Sequence, residues 1–335
     1  MDSSLLTLLG GGHHLLDTFD VLSPRWQVVG GTLAVDTGAL KAATLGNWLN
    51  NLVANGEFTS GVAGGWTAVN VTASLVDSAV DPGAASGGVN ANCAKLVLTG
   101  TDSPRLVQVI SYLTGASYGF SARAYAPSAN TRANAASLVP SMGVAVGVTG
   151  EDAWESIAIT QLSPVGSLIL QPRTAAGAGT INDIAYFDAV TCYRQNAAAI
   201  TPFAPTFHKR LVHIPPAAGV VTPAGWMFRY TSALNYWELR VVPNTAGNDL
   251  QIVQVTAGVE TMRAEADVDW TADQNDEVLL TVRGADIATA YRKYGSSVWT
   301  AGPGYAAATQ GIGSPWAGPL QYDTARRWGE AEVWW

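Results

Sequence analysis

The chain has 335 residues, 48% of them hydrophobic and 13% charged, with a net charge of −8. This length suits two domains of ordinary size. Nucleic acid is excluded as the main partner, because its binding needs a clustered basic surface and the sequence has no Lys/Arg-rich run. No run approaches the ~20 apolar residues that span a bilayer, so membrane insertion is not expected. The first twelve residues lack the positive charge that begins a signal peptide, and we expect a docking segment or a first strand there.

Helical periodicity is nearly absent from the sequence. Apolar and polar residues alternate instead in short runs that Gly, Pro, Asn and Asp interrupt. This pattern predicts an all-β protein of two antiparallel β-sandwich (jelly-roll) domains. Three short strands joined by Gly turns are expected between residues 15 and 43. Further strands are predicted at 95–98, 118–124, 236–242, 250–256 and 278–283.

The middle stretch, residues 51–194, carries an ordered series of short motifs. They are NGEF at 55–58, Trp66, CAKLVL at 93–98, LTGASYGFSAR at 113–123, Trp154 and IAYFDAV at 184–190. In this order and spacing the stretch resembles the galactose-binding-like β-sandwich carbohydrate-binding modules. The resemblance implies a β-sandwich that presents a glycan-binding surface.

The two outer stretches share a second resemblance. Residues 17–33, 225–241, 278–287 and 311–313 resemble the strand motifs of concanavalin A-like and laminin-G-like jelly rolls, with 332–334 as the closing strand. The first strands of this jelly roll precede the middle stretch and the remaining strands follow it. A sandwich without its early strands would expose long apolar edges.

We therefore predict that one domain is inserted into the other. The discontinuous domain comprises residues 1–46 and 196–335, and the inserted module comprises residues 47–195. Segments 44–47 and 195–199 are the predicted linkers, since exposed loops with close ends tolerate insertion. The alternative is three successive units, with residues 1–45 as a separate arm.

The resemblance to carbohydrate-binding modules also implies a structural calcium ion. In that family the ion is held by an acidic residue of the opening strand and by the Asp of the closing strand, which correspond to Glu57 and Asp188. The family's acidic residue follows the Phe, whereas Glu57 precedes Phe58, and in a strand this shift turns the side chain to the other face. The alternative is a solvated Glu and an Asp that caps a turn.

Aromatic residues are the candidates for carbohydrate binding, because sugars stack their C–H faces on rings while polar side chains hold the hydroxyl groups. For the tryptophans of the middle stretch the alternative is a place in the core, and for the outer residues it is loop packing. The predicted carbohydrate-binding residues are Trp66, Tyr125 and Trp154 in the middle stretch, and Trp299, Tyr305 and Trp316 in the outer stretch.

Catalysis is not expected. Residues Glu265, Asp267 and Asp269 share one face of a predicted strand and superficially resemble the acidic strand of concanavalin-like glycosidases. However, the last carboxylate is an Asp, and the run leads into a polar segment that is predicted to be a hairpin loop. The two cysteines, Cys93 and Cys192, both lie in strand-like runs, so either buried free thiols or a bridge fits the sequence.

These observations favour a non-enzymatic structural or adhesion protein at the surface of a virion, as a phage tail, fibre or capsid-decorating component. Its expected partners are other virion proteins, copies of itself or a cell-surface glycan. The low charge density and lectin-like modules suit that role, although a fold by itself does not fix a function. The alternatives are a secreted carbohydrate-binding accessory protein and a concanavalin-like glycoside hydrolase.

Overall fold

The structure is a computed structural model. It describes residues 14–17, 27–36, 39–88, 91–141, 144–162, 164–202, 207–214, 223–243, 248–268, 276–306, 308–314, 316–321 and 327–334. The chain divides into two compact units. Unit 1 comprises residues 1–50, 114–116 and 194–335, and therefore combines both ends of the chain. Unit 2 comprises residues 51–113 and 117–193.

Every regular element among the described residues is a β-strand, which confirms the all-β fold class. No described helix is long and apolar enough to cross a membrane. The strands are β1 (His14–Asp17), β2 (Gln27–Gly30), β3 (Thr32–Asp36), β4 (Ala39–Thr44), β5 (Gly46–Trp48), β6 (Thr67–Val69), β7 (Val71–Asp77), β8 (Asn92–Leu98), β9 (Arg105–Val109), β10 (Ser117–Tyr125), β11 (Ser137–Ser141), β12 (Val144–Gly147), β13 (Glu155–Leu162), β14 (Ser167–Gln171), β15 (Ile184–Pro202), β16 (Phe207–Ile214), β17 (Ala224–Ser232), β18 (Asn235–Pro243), β19 (Asn248–Thr256), β20 (Val259–Val268), β21 (Asp276–Arg283), β22 (Asp286–Arg292), β23 (Thr300–Tyr305), β24 (Trp316–Gln321) and β25 (Arg327–Trp334).

Unit 1 is a sandwich of two antiparallel sheets. One sheet has the order β23-β22-β21-β16-β25-β4-β3, with β1 also paired to β25. The other runs from the second part of β15 through β24, β17, β18 and β19 to β20. Alternate residues of facing strands fill the core, as β18 shows with Trp237, Leu239 and Val241 and β21 with Val278 and Leu280.

Unit 2 is a second antiparallel sandwich. Its larger sheet contains β7, β8, the first part of β15, β10 and β13, and its smaller sheet has the order β12-β11-β14-β9-β6. Leu96 and Phe120 of the larger sheet and Leu106 and Leu170 of the smaller sheet are buried. Successive residues of a strand point to opposite faces, so each sheet keeps a second face outside this core.

The strands predicted at 95–98, 118–124, 236–242, 250–256 and 278–283 are confirmed as parts of β8, β10, β18, β19 and β21. Segment 195–199 differs from the prediction, because it lies within the long strand β15 and is not a linker. The cause is local: Asn196 is a residue type typical of a linker, but it is buried here, and its Oδ1 accepts a hydrogen bond from the Arg194 Nε at 3.0 Å.

Candidate functional sites

Trp66 belongs to the core of unit 2. Its side chain is 6% exposed, and its ring packs on Phe58 with centroids 5.9 Å apart. Sugar binding needs an open ring face, and this burial leaves none. Trp66 is therefore a core residue, which was the alternative to its predicted role in carbohydrate binding.

The side chains of Tyr125 and Trp154 lie next to each other, as residues of one binding site must, but both belong to a packed aromatic cluster. Their ring centroids lie 5.7 Å apart, and Tyr186 meets Tyr125 edge-on, also at 5.7 Å. The Trp154 Nε1 donates to the carbonyl of Ala84 at 2.6 Å. The segment between β7 and β8 thus covers this pair of rings.

A carboxylate anchors the same segment. Asp81 accepts hydrogen bonds from the Lys95 Nζ, at 2.7 Å, and from the Tyr186 hydroxyl. Burial acts to raise the pKa of Asp81, but the hydrogen bonds from Lys95 and Tyr186 outweigh burial and hold this pKa below its ordinary value. The cluster therefore stabilises the covering segment, and sequence reasoning did not single it out.

Asp188 and Glu57, the predicted calcium ligands, lie close enough to interact. Asp188 is fully buried, and its oxygens accept hydrogen bonds from the Ser86 hydroxyl and, at 2.7 Å, from the Ala189 N–H. Burial raises the pKa of Asp188 above its ordinary value, and the negative charge of Glu57 acts in the same direction. The hydrogen bonds from Ser86 and Ala189 and the positive charge of Arg123 act against this rise without cancelling it. A Cβ atom on Gly88 would lie 2.2 Å from the Asp188 Oδ2, so only glycine allows this close approach of the backbone.

This arrangement fits a hard cation in its charge and in its oxygen donors. Calcium takes about 6–8 oxygen ligands. No group of three or more His, Cys, Asp or Glu side chains that could hold a metal occurs among the described residues. Glu57 and Asp188 would therefore have to be joined by hydroxyl or backbone carbonyl oxygens.

The three outer aromatic candidates do not form one site. Strand β23 begins at Thr300 and ends at Tyr305, so it separates Trp299 from Tyr305 by about 20 Å. Trp316 lies in the other sheet, at the start of β24. Of these three residues, Trp299 lies beside the most exposed part of the chain.

The turn between β22 and β23, residues 293–299, is called here the aromatic turn. Tyr294 is 64% exposed and Val298 is 68% exposed, while Trp299 is partly buried. The guanidinium of Arg292 lies 4.8 Å from the centre of the Trp299 ring and forms an ion pair with Glu277. The turn therefore combines open apolar surface with a neighbouring cation and carboxylate.

Internal hydrogen bonds define the shape of the aromatic turn. The Tyr294 N–H donates to the buried Asp276 Oδ1 at 2.8 Å, and the Ser296 N–H donates to the Lys293 carbonyl at 3.0 Å. Gly295 has a φ of 75°, a backbone conformation that favours glycine. Such a turn loses little conformational entropy when a ligand binds.

Tyr305 is not an open platform. Its ring packs on Trp237, with centroids 5.5 Å apart, and the Arg263 guanidinium lies 5.9 Å from its centre. Arg263 is itself held by two hydrogen bonds to the Gln254 Oε1, at 2.8 and 2.6 Å. Tyr305 is therefore a packing residue, which was the alternative to its predicted role in carbohydrate binding.

Unit 2 has a groove on the outer face of its smaller sheet, called here the valine groove. Its volume is about 920 Å³. Val107, Ile169 and Val139 lie side by side across β9, β14 and β11 and form its floor. Val109, which is 82% exposed, lies near one end, and Arg105 near the other. No sequence motif had marked this surface.

The candidate acidic strand lies on an exposed surface. Glu265 and Asp267 belong to β20, which ends the sheet order of unit 1, and both side chains are exposed. The Glu265 Oε1 accepts a hydrogen bond from the Gln251 Nε2 at 2.7 Å. Asp269 lies outside the described residues.

Cys93 and Cys192 are both free and fully buried, so the alternative of two buried thiols is the one observed. Burial raises the pKa of each thiol to about 12. Because the thiolate is the reactive form, neither cysteine is expected to react with a thiol reagent in the native protein. Titration with Ellman's reagent should detect almost no thiol natively and both thiols after unfolding in guanidinium chloride. Rapid native labelling would contradict this burial.

No family model and no curated protein matches the chain. Solved structures do match. They include the carbohydrate-binding module CBM66 from Bacillus subtilis, with 11% identity and a TM-score of 0.30 over 42% of this chain and 78% of that one. The CBM2 module of the evolved Dit of Lactobacillus casei BL23 phage J-1 has 10% identity and a TM-score of 0.30 over 42% of this chain and 69% of that one. The CBM22-1-CBM22-2 tandem domain of Paenibacillus barcinonensis Xyn10C has 10% identity and a TM-score of 0.32 over 86% of this chain and 98% of that one. TM-scores this low carry neither a ligand nor a reaction over to this chain.

Proposed function

We propose that this protein is a non-enzymatic adhesion protein that binds glycans through the aromatic turn of unit 1. The observation that carries the proposal is the 64% exposure of Tyr294 on a turn that its own hydrogen bonds hold in shape. Exposed aromatic rings on soluble domains commonly serve as binding surfaces, since they bury much apolar area at little entropic cost. Trp299 adds a second ring to the same turn.

Charged groups beside the rings supply the polar half of a sugar site. Arg292 and Glu277 are 26% and 18% exposed, so both can reach ligand hydroxyl groups while they remain paired. A carboxylate accepts hydrogen bonds from hydroxyls and a guanidinium donates to their oxygens. The turn therefore offers an apolar ring face, a donor and an acceptor within one short segment.

A glycan array tests this proposal. The unaltered protein should bind a subset of the glycans, and Tyr294→Ala and Trp299→Ala should each weaken that binding at least tenfold, because each removes ring area that the sugar covers. Met262→Ala is the matched control, since Met262 is a 55% exposed apolar residue of unit 1 away from this turn. Glycan binding that survives in the Tyr294→Ala/Trp299→Ala double variant would place the site elsewhere.

We also propose that Glu57 and Asp188 hold a structural calcium ion in unit 2. A cation would offset the repulsion between the two carboxylates, so Ca²⁺ should raise the thermal midpoint and EDTA should reverse the increase. The increase should disappear in Asp188→Asn and in Glu57→Gln. The measured quantity is the Ca²⁺-dependent shift of each variant against its own midpoint in EDTA, which separates ion binding from any change in stability. Asp267→Asn, a control at an exposed carboxylate of unit 1, should keep the full shift. A shift that survives in Asp188→Asn and Glu57→Gln would show that Ca²⁺ binds elsewhere.

The proposed location is the surface of a virion, where the protein would contact copies of itself or other virion proteins. The low share of charged residues, 13%, supports close packing against other protein surfaces. Light scattering of the purified protein separates this proposal from the secreted accessory protein. A homo-oligomer supports the virion component, whereas a monomer that sediments with insoluble polysaccharide supports the accessory protein.

The glycoside hydrolase is the third candidate. It would need Glu265 and Asp267 as its carboxylate pair, and both are exposed on β20. We expect no release of reducing ends from the glycans that the protein binds. Hydrolysis that is lost in Glu265→Gln would establish the enzyme instead.

A further inference from the structure

Among its described residues, the valine groove contains a cation without a counter-charge. Arg105 is the one charged residue among the described residues that line the groove. Its Nη1 donates to the Ser103 carbonyl at 3.1 Å, and within the described part of the chain it forms no ion pair with a carboxylate. A half-buried charge beside apolar side chains is costly when it is unpaired, so an anion would gain from binding there.

The rest of the groove is aliphatic. Val107 and Val109 follow Arg105 on the same face of β9, at alternate positions, and together the three residues extend over about 13 Å. Ile169 and Val139 widen the floor across the two neighbouring strands. This length suits an extended chain of roughly ten carbons, and each CH₂ group of such a chain that is buried against the groove adds to its binding.

We propose that the valine groove binds an aliphatic carboxylate, with the carboxylate on Arg105 and the chain along Val107 towards Val109. The volume of about 920 Å³ lies within the range of small-molecule sites, which is about 300–1,000 Å³. None of the described residues that line the groove is aromatic, so these residues offer no ring platform on which a sugar could stack. The groove is thus independent of the aromatic turn, which lies in unit 1.

Isothermal titration with two ligands of equal chain length tests the proposal. Decanoate, used below its micelle concentration, should bind at least tenfold more tightly than 1-decanol, which has the same ten carbons and a neutral hydroxyl head and is used below its solubility limit. Arg105→Gln should lower decanoate affinity at least tenfold, because it removes the charge while it keeps a polar side chain. Val109→Ser should lower it about twofold to fivefold, and it carries little risk for folding because Val109 is 82% exposed.

Arg132→Gln is the matched control, since Arg132 is an exposed arginine of unit 2 outside the groove. It should bind decanoate as the unaltered protein does, and binding should weaken as salt rises. Equal affinities for decanoate and 1-decanol would overturn the proposal even if Arg105→Gln failed to fold. Arg105-dependent binding of digalacturonate without binding of decanoate would also overturn it and would assign the groove to an acidic sugar.

Discussion

Arg240→Met is expected to lower the free energy of unfolding by about 3–5 kcal/mol, the usual cost of breaking a buried ion pair from one side. Arg240 is 4% exposed, and its Nε and Nη2 donate to the two carboxylate oxygens of Glu238 at 3.1 and 2.8 Å. Its Nη2 also donates to the Glu260 Oε1 at 2.7 Å. Methionine keeps the apolar stem but removes the Arg240 guanidinium from the buried Glu238 carboxylate, whereas Glu260 keeps its ion pair with Arg194.

Urea unfolding monitored by tryptophan fluorescence measures this loss. Arg283→Met is the control, because Arg283 is an exposed arginine at the end of β21, and its cost should stay within about 0.5 kcal/mol. The double variant Arg240→Met/Glu238→Gln should be more stable than Arg240→Met alone, since it also removes the buried negative charge. If the double variant were less stable than Arg240→Met, the pair would not be the source of the cost.

Strand β18 shows how far the sequence predicts this fold. Its period of two correctly assigns Trp237, Leu239 and Val241 to one face, and these side chains fill the core of unit 1. The same period suggests a solvated face for Tyr236, Glu238 and Arg240, yet all three are buried. Their burial depends on partners from distant parts of the chain, and no local pattern reports such partners.

Arg194 is the clearest of those partners. It belongs to β15, directly before the predicted linker 195–199, and it forms an ion pair with Glu260 of β20. Tyr236 joins the cluster by accepting a hydrogen bond from the Arg194 Nη2 at 3.4 Å, and it accepts another from the Trp48 Nε1 at 3.0 Å. The long separations along the chain explain why the sequence reveals the strands but not the charge network.

The candidate sites were predicted less well than the strands, for a related reason. Trp299 and Tyr305 are both predicted carbohydrate-binding residues of one short stretch, but an extended strand places them at opposite ends. Tyr294 was missed, although its neighbours Gly295 and Ser296 are typical of an exposed turn. In β9 the run from Leu106 to Val109 has apolar residues on both faces, and the sequence alone does not tell which face is covered.

Acidic pH is expected to lower the free energy of unfolding, because it protonates Glu260. Burial acts to raise the pKa of this carboxyl, but the charges of Arg194 and Arg240 outweigh burial and lower the pKa to about 2 from its ordinary value of 4.5. A carboxyl whose pKa is lower in the folded state stabilises the fold above its unfolded pKa. That stability is lost as the pH falls from about 4.5 towards 2. The side chain is 24% exposed, so we expect the loss to be about 2–3 kcal/mol.

The comparison of the unaltered protein with Glu260→Gln isolates this contribution. Glutamine does not titrate, so the variant should be less stable at pH 6, and the difference between the two proteins should shrink as the pH falls to about 2.5. Urea unfolding at pH 6, 5, 4, 3 and 2.5 gives both curves under the same conditions. Glu265→Gln provides the control, because Glu265 is an exposed carboxylate on the same strand. The free energy of unfolding of this variant should change with pH nearly as that of the unaltered protein does. A stability difference for Glu260→Gln that stays constant over this range would show that the charge of Glu260 adds nothing to the fold.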